Sequence, residues 1–216
     1  MVNEPVDLRD VRQTLMGGGL EEATAPAEPM ALFSEWLDYA VSLGLHNANA
    51  MAVATADRSG RPSVRNVLLR GSFDEGLAFY TNYGSRKGRE LAANPVAEAL
   101  FSWLPLERQV RLSGAVRLAS PEQSDAYFAS RARESRISAM ASDQSRPVDS
   151  RADLERRHQE IEAELGVADP VRPSHWGGFV LEPDHVEFWQ GRPHRLHDRL
   201  VYTRREGGWD RVRLQP

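Results

Sequence analysis

Residues 50–82 read AMAVATADRSGRPSVRNVLLRGSFDEGLAFYTN, and the spacing of their apolar side chains decides the fold. Within 50–56, 62–70 and 77–82 apolar positions recur every second residue, the period at which a strand sends side chains alternately to its two faces. Two clusters of turn-forming residues, Asp57-Arg58-Ser59-Gly60 and Gly71-Ser72-Phe73-Asp74-Glu75-Gly76, cut the stretch into three strands. The same rhythm returns at 96–104 (VAEALFSWL) and 107–118 (ERQVRLSGAVRL), parted by Pro105-Leu106, and again at 177–182, 184–190, 198–203 and 209–214. Short links between successive strands predict an antiparallel meander.

The helical segments are few. Leu32/Phe33, Trp36/Leu37 and Ala40/Val41 fall three to four apart and make one apolar stripe ending near Gly44. Residues 121–142 and 151–165 also read as helices, the second with enough charge for a solvated face. Residues 1–29 carry Gly17-Gly18-Gly19 and an Ala/Pro-rich run at 25–29 without sustained periodicity, and they are expected to form a mobile arm, a tether or a lid. Residues 30–216 show no internal repeat or boundary and form one domain. The fold class expected is mainly β with helices, an antiparallel β-barrel decorated by α-helices.

Composition excludes several kinds of function. The 216 residues carry a formal charge of −4 and are 41% hydrophobic, enough for a packed core but with no general electrostatic footprint for nucleic acid. No apolar stretch approaches the ~20 residues that span a bilayer, and the polar, acidic N-terminus lacks a signal-peptide core, so a cytoplasmic protein is expected. Zero cysteines exclude disulfides, thiolate nucleophiles and Cys-based metal sites. Lys87 is the only lysine among 27 basic residues, so an arginine at any position follows composition, whereas the lysine does not.

Four segments carry candidate chemistry. Alternation places Arg65 and Arg70 on opposite faces of one strand. Downstream of Tyr80 and Thr81, Ser85-Arg86-Lys87-Gly88 opens a helix with a capping serine and two cations, the elements of a phosphate cradle or of an ordinary cap. Gln109 and Arg111 lie opposite Val110 and Leu112. Tyr127, Arg131 and Ser135 recur every four residues and line one face if that helix is continuous. The densest segment is FWQGRPHRLHDR at 188–199, where Arg195, His197 and Arg199 alternate with Leu196 and Asp198; an extended chain aims all three at one side, where they repel unless an anion sits among them. His194 and His197 alone do not complete a metal site, and none is expected. No Gly-x-Ser-x-Gly elbow is present for a serine hydrolase.

In combination, RNVLLR at 65–70, FYTN at 79–82, SRKG at 85–88, ERQV at 107–110, QS at 144–145, WGG at 176–178, EFWQG at 187–191, RLHDR at 195–199 and the closing RLQP at 213–216 resemble the pyridoxamine/pyridoxine 5′-phosphate oxidase family from about residue 30 to the end. The resemblance implies an FMN-binding split β-barrel, a homodimer with FMN at the subunit interface, and neither nucleic-acid nor membrane partners. It assigns FMN to Arg65, Tyr80, Thr81, Arg86, Lys87, Gln109, Gln144, Ser145, Trp189 and Arg199. It assigns the phosphate of a phosphorylated pyridine substrate to Arg70, Tyr127, Arg131 and Ser135, and catalytic contact with the pyridine ring to Arg195 and His197. The implied reaction moves a hydride from the substrate C4′ carbon to the flavin, with O2 as final acceptor and H2O2 released, and needs no covalent protein nucleophile. The chain departs from the family pattern at Arg70 (usually Lys), Leu15 (Tyr), Asn47 (Asp), Ala132 (Pro), Arg136 (Gln) and Ser138 (Gly), while Arg12 matches. Two other functions compete with B6 salvage: an FMN oxidase of a phenazine-like secondary-metabolite pathway, and a protein that binds FMN or pyridoxal phosphate without turnover.

Overall fold

The computed structural model describes residues 7–73 and 76–216; residues 1–6 of the expected arm and 74–75 of the expected turn lie outside it. The opening stretch folds as its alternation requires. Strand β1 (Ala50–Ala56) pairs antiparallel with β2 (Pro62–Leu68), setting Val53 opposite Arg65. Met51 and Val53 point into the core, while Ala50, Ala52, Ala54 and Ala56 face outward. Nine strands among the described residues form one antiparallel sheet. Beyond β1 and β2 these are β3 (Ser72–Phe73), β4 (Gly76–Asn82), β5 (Val96–Trp103), β6 (Arg108–Leu118), β7 (Trp176–Gln190), β8 (Asp198–Arg205) and β9 (Gly208–Leu214).

The sheet is not a simple meander. Its order is β2-β1-β5-β6-β7-β4-β3, with β8 and β9 continuing from β7. Helix α3 (Arg86–Ala93) carries the chain away from β4, so β4 pairs with β7 rather than with the next strand in sequence. Two strands expected at 177–182 and 184–190 are one. Pro183 between them offers no N–H, but it falls where the β6–β7 register shifts and no ladder bond is needed from it. Gly114 opposite must be glycine, since a Cβ there would lie 2.0 Å from the Glu182 carbonyl oxygen. The fifteen-residue strand serves three partners: β6 runs along one edge, while on the other its first half pairs with β4 and its second half with β8.

Helix α2 (Pro29–Ser42) lays Leu32, Phe33, Trp36 and Ala40 on the barrel, as its stripe predicts. Phe33 meets Phe101 edge-on at 4.9 Å and Trp36 meets Phe188 at 5.3 Å. Truncating either phenylalanine of the sheet to Ala costs about 3–5 kcal/mol.

The segment 121–142 is two helices, α4 (Pro121–Ser130) and α5 (Arg133–Ala141), parted by Arg131 in an extended conformation. Helix α6 (Arg151–Leu165) buries no residue, in keeping with its charge. Within the expected arm, Leu8–Gly18 form helix α1, capped by Asp7. Val11 and Leu15 pack against the core from it, Arg12 pairs with Glu107, and Arg192 Nη1 donates to the Gly17 carbonyl at 3.0 Å. Just beyond it the Leu20 N–H reaches Asp198, and Arg213 holds Glu22 through two bonds of 2.6 Å.

Candidate functional site

Two groups of polar side chains stand at opposite ends of β7. At its N-terminal end β4 and α3 bring together Thr81, Arg65, Arg86, Lys87 and Glu90. Ser85 caps α3, its hydroxyl accepting from the Gly88 N–H, which points the first turn of the helix at the end of β4. The Lys87 ammonium, 8% exposed, donates to Thr81 Oγ1 and to Gln144 Oε1, each at 2.9 Å. Both acceptors are neutral, and among the described residues no carboxylate pairs with it. Burial, helped by the charge of Arg65, pulls Lys87 down to about 8. Arg65 reaches across from β2 to the Val53 carbonyl, Thr55, Ser63 and Glu90.

Beside this cluster the rings of Tyr80, Tyr127 and Trp176 stack nearly parallel. Tyr80 lies 3.9 Å from Tyr127 and 5.7 Å from Trp176 between centroids. The Arg131 guanidinium covers Trp176 at 4.8 Å, and its Nη1 is buried without a hydrogen-bond partner among the described residues. Burial lowers the proton affinity of Arg131, and the neighbouring Arg70 charge adds to this. An unsatisfied donor and a second nearby cation are the features of an anion subsite.

The other group lies twelve residues along β7. Gln109 of β6 is the cross-strand partner of Trp189, and Trp189 is the partner of Arg199. Glu187, 4% exposed, holds Arg199 in a fork at 2.8 and 3.0 Å and also pairs with Arg111 at 3.0 Å. His197 packs 4.7 Å from the Trp189 ring, and its Nδ1 accepts from the Arg192 N–H at 3.2 Å, which leaves Nε2 as the protonated nitrogen of the neutral ring. Thr81 pairs with Gly177 and Gln109 with Trp189, so at ~3.3 Å per residue the two groups stand up to about 40 Å apart along the strand.

Residues 37–164 match the family model described as pyridoxamine 5′-phosphate oxidase, and residues 176–216 match that of the pyridoxine 5′-phosphate oxidase C-terminal dimerisation region. The chain belongs to the pyridoxamine 5′-phosphate oxidase family. Relatives named pyridoxine/pyridoxamine 5′-phosphate oxidase from Paraburkholderia phymatum and Rubrobacter xylanophilus are 52% and 50% identical; each alignment takes in 97% of this chain, and 99% and 97% of the relatives respectively. A solved structure of PhzG from Burkholderia lata 383, in complex with tetrahydrophenazine-1-carboxylic acid, superposes with a TM-score of 0.85 at 35% identity, over 91% of this chain and 98% of that one. The fold is the split barrel of this oxidase family.

Against this family frame, the structure brings Arg65, Thr81, Arg86, Lys87 and Gln144 together, places Tyr80 in the stack beside them, and leaves Ser145 exposed in the loop after α5 with a φ of 67°. Two geometric expectations are corrected. Tyr127, Arg131 and Ser135 do not share a continuous helical face, because the chain leaves the helix at Arg131; Tyr127 and Arg131 converge instead on Trp176, and Ser135 is exposed in α5. Nor do Arg195, His197 and Arg199 alternate along an extended segment. Pro193–Arg195 form a single 3-10 turn with φ near 60° at His194 and Arg195, and β8 begins only at Asp198. Three residues were given no role from the sequence. Glu90 lies outside the motifs and is signalled by its i,i+4 spacing from Arg86; Glu187 and Trp176 stand within EFWQG and WGG, but Glu187 is signalled only by sharing the parity of Trp189 on β7 and Trp176 only by the three-dimensional stack.

Proposed function

We propose that this protein is an FMN-dependent oxidase that converts pyridoxine 5′-phosphate or pyridoxamine 5′-phosphate to pyridoxal 5′-phosphate, with O2 taking up the electrons and leaving as H2O2. The observation that carries the reading is the buried Lys87 ammonium, held by two neutral acceptors with no counter-charge of its own. A phosphate monoester is the anion this cluster suits: Lys87, Arg65 and Arg86 supply charge, and Thr81 and Gln144 supply orientation. The flavin, when bound, supplies the two-electron acceptor that none of the twenty side chains provides.

On this reading the remaining residues bind and orient. Gln109 offers a donor and an acceptor to a heterocycle edge, Trp189 an aromatic wall, and Arg199 a charge steadied by Glu187. Ser145 borders the phosphate end next to Gln144. Arg131 and Arg70, with the Tyr127 hydroxyl and Ser135, receive the substrate phosphate, which gives the orphaned Arg131 Nη1 its partner. Arg195 and the Nε2–H of His197 hold the pyridine ring so that its C4′ carbon faces the acceptor. For the amine, a water completes the aldehyde and releases ammonia.

The separation of the two groups on β7 supports a homodimer whose sites are shared, one protomer lending the Lys87 end and its partner the Trp189 end. A cytoplasmic setting belongs to the same reading. The likeness to PhzG favours a second one, a phenazine-type substrate at the same flavin; the higher identity to relatives named pyridoxine/pyridoxamine 5′-phosphate oxidase, 52% and 50% against 35%, weighs against it. Anaerobic addition of pyridoxine 5′-phosphate to the FMN-loaded protein tests the proposal: bleaching of the flavin's visible band is expected, and a band unchanged by this substrate and by pyridoxamine 5′-phosphate overturns it.

A further inference from the structure

A carboxylate lies where an anion site should least want one. Glu90, on α3 one turn beyond Arg86, is 6% exposed and sits beneath the cations at the end of β4. Its Oε2 accepts from the hydroxyls of Thr55 and Ser63 and from Arg65 Nη2 at 3.3 Å, while its Oε1 accepts from Arg86 Nε at 2.8 Å. Burial opposes its ionisation, but the bonds from Ser63, Thr55 and Arg86 overcome this and hold the carboxyl down at about 2. The charge is therefore permanent at any working pH.

Arg65, Arg86 and Lys87 repel one another while no anion is bound. Arg86 is half exposed, so that without Glu90 nothing would keep it from swinging into water; Arg65 comes from another strand, and its charge already depresses Lys87. Glu90 bonds both arginines and makes no bond to Lys87. It gathers two of the three cations into one place while leaving the third uncompensated.

We propose that Glu90 is a positioning residue: it is the internal counter-charge that keeps Arg65 and Arg86 assembled in the cofactor-free protein, so that the phosphate of the flavin meets a preformed site. The proposal rests on the FMN reading above. Preorganisation of this kind strengthens binding by removing an ordering cost at the moment of association. It acts on the phosphate end alone, since none of the groups around Glu90 belongs to the Gln109–Trp189 end.

The test compares FMN with riboflavin, which lacks the phosphate, by fluorescence titration of the cofactor-free full-length protein, wild type against Glu90→Ala and Glu90→Gln. Wild type is expected to prefer FMN strongly. Glu90→Ala is expected to weaken FMN about tenfold or more, the loss of hydrogen bonds to a charged group, and to leave riboflavin unchanged. Glu90→Gln keeps an acceptor for Thr55, Ser63 and Arg65 but no charge, and is expected to lose most of the preference as well; a Gln variant that binds FMN as tightly as wild type overturns the counter-charge. An Ala variant that binds FMN as tightly as wild type or tighter overturns the proposal, as does an equal loss for both flavins, which marks a structural role only. A wild type that does not distinguish the two flavins defeats the phosphate-site reading itself, a separate failure.

Discussion

Lys87 and Gln144, 57 positions apart in the chain, meet at 2.9 Å: the ammonium donates to the amide oxygen and receives no negative charge in return. Burial has pulled the group to about 8, so the cofactor-free protein loses this proton as pH rises through that value. The folded pKa lies below the ordinary lysine value of 10.5. Charged Lys87 therefore costs the empty fold stability below pH 8, and the cost fades between 8 and 10.5. A bound phosphate reverses the preference and favours the charged form. FMN affinity is expected to be full below about pH 8 and to fall above it, read by flavin fluorescence from about pH 7 to about pH 9.5. Lys87→Ala should bind FMN more weakly and lose this pH step; an unaltered dissociation constant would contradict the assignment.

The length of β7 between Thr81's partner and Gln109's partner makes a prediction about assembly. If each site takes Lys87 from one protomer and Arg195 from the other, Lys87→Ala and Arg195→Ala chains should complement. A mixed dimer then holds one site with both defects and one intact. Co-expressed in equal amounts, the two variants should regain roughly a quarter of wild-type activity. No recovery in verified mixed dimers would place both halves within one chain.

Arg195 is exposed at the end of the 3-10 turn, its backbone held at a φ of 61°. Arg195→Ala should lower kcat/KM by about tenfold or more, as expected for loss of a charged contact to substrate, and leave FMN bound. Unchanged kinetics would remove it from the site.

Gly191 packs against Glu107, the residue that anchors Arg12 of α1. A Cβ at Gly191 would lie 2.7 Å from Glu107 Cβ and 2.8 Å from its Oε2. Gly191→Ala should cost about 1–3 kcal/mol in denaturant unfolding, by overpacking, and speed proteolysis within α1 as the Arg12 pair loosens. A variant as stable and as resistant as wild type would show that the contact yields freely.

Alternation is plainest where a strand buries one face, as β1 and β5 do; the reading of 50–56 coincides with β1 residue for residue. It failed where tertiary context overrode local signals. Pro183 looked like a boundary but sits at a register shift inside one strand. Val11 and Leu15 are too short an apolar stripe to announce α1, whose position depends on distant partners such as Glu107 and Arg192. At the site, residue types were visible and their geometry was not. The i,i+4 spacing of Tyr127 and Arg131 suggested a helical face, yet Trp176, some 45 positions on, is what brings them together. The positive φ values at His194 and Arg195 have no signature in residue type, so the segment between the strands read as simply extended.

The most direct test of the central claim is oxygen uptake by the FMN-loaded protein given pyridoxine 5′-phosphate, with pyridoxal 5′-phosphate measured in the same sample and pyridoxamine 5′-phosphate run in parallel. The account predicts one aldehyde formed for each O2 consumed. Bound flavin with neither substrate oxidised would contradict it and turn the search to another flavin substrate or to a binding role.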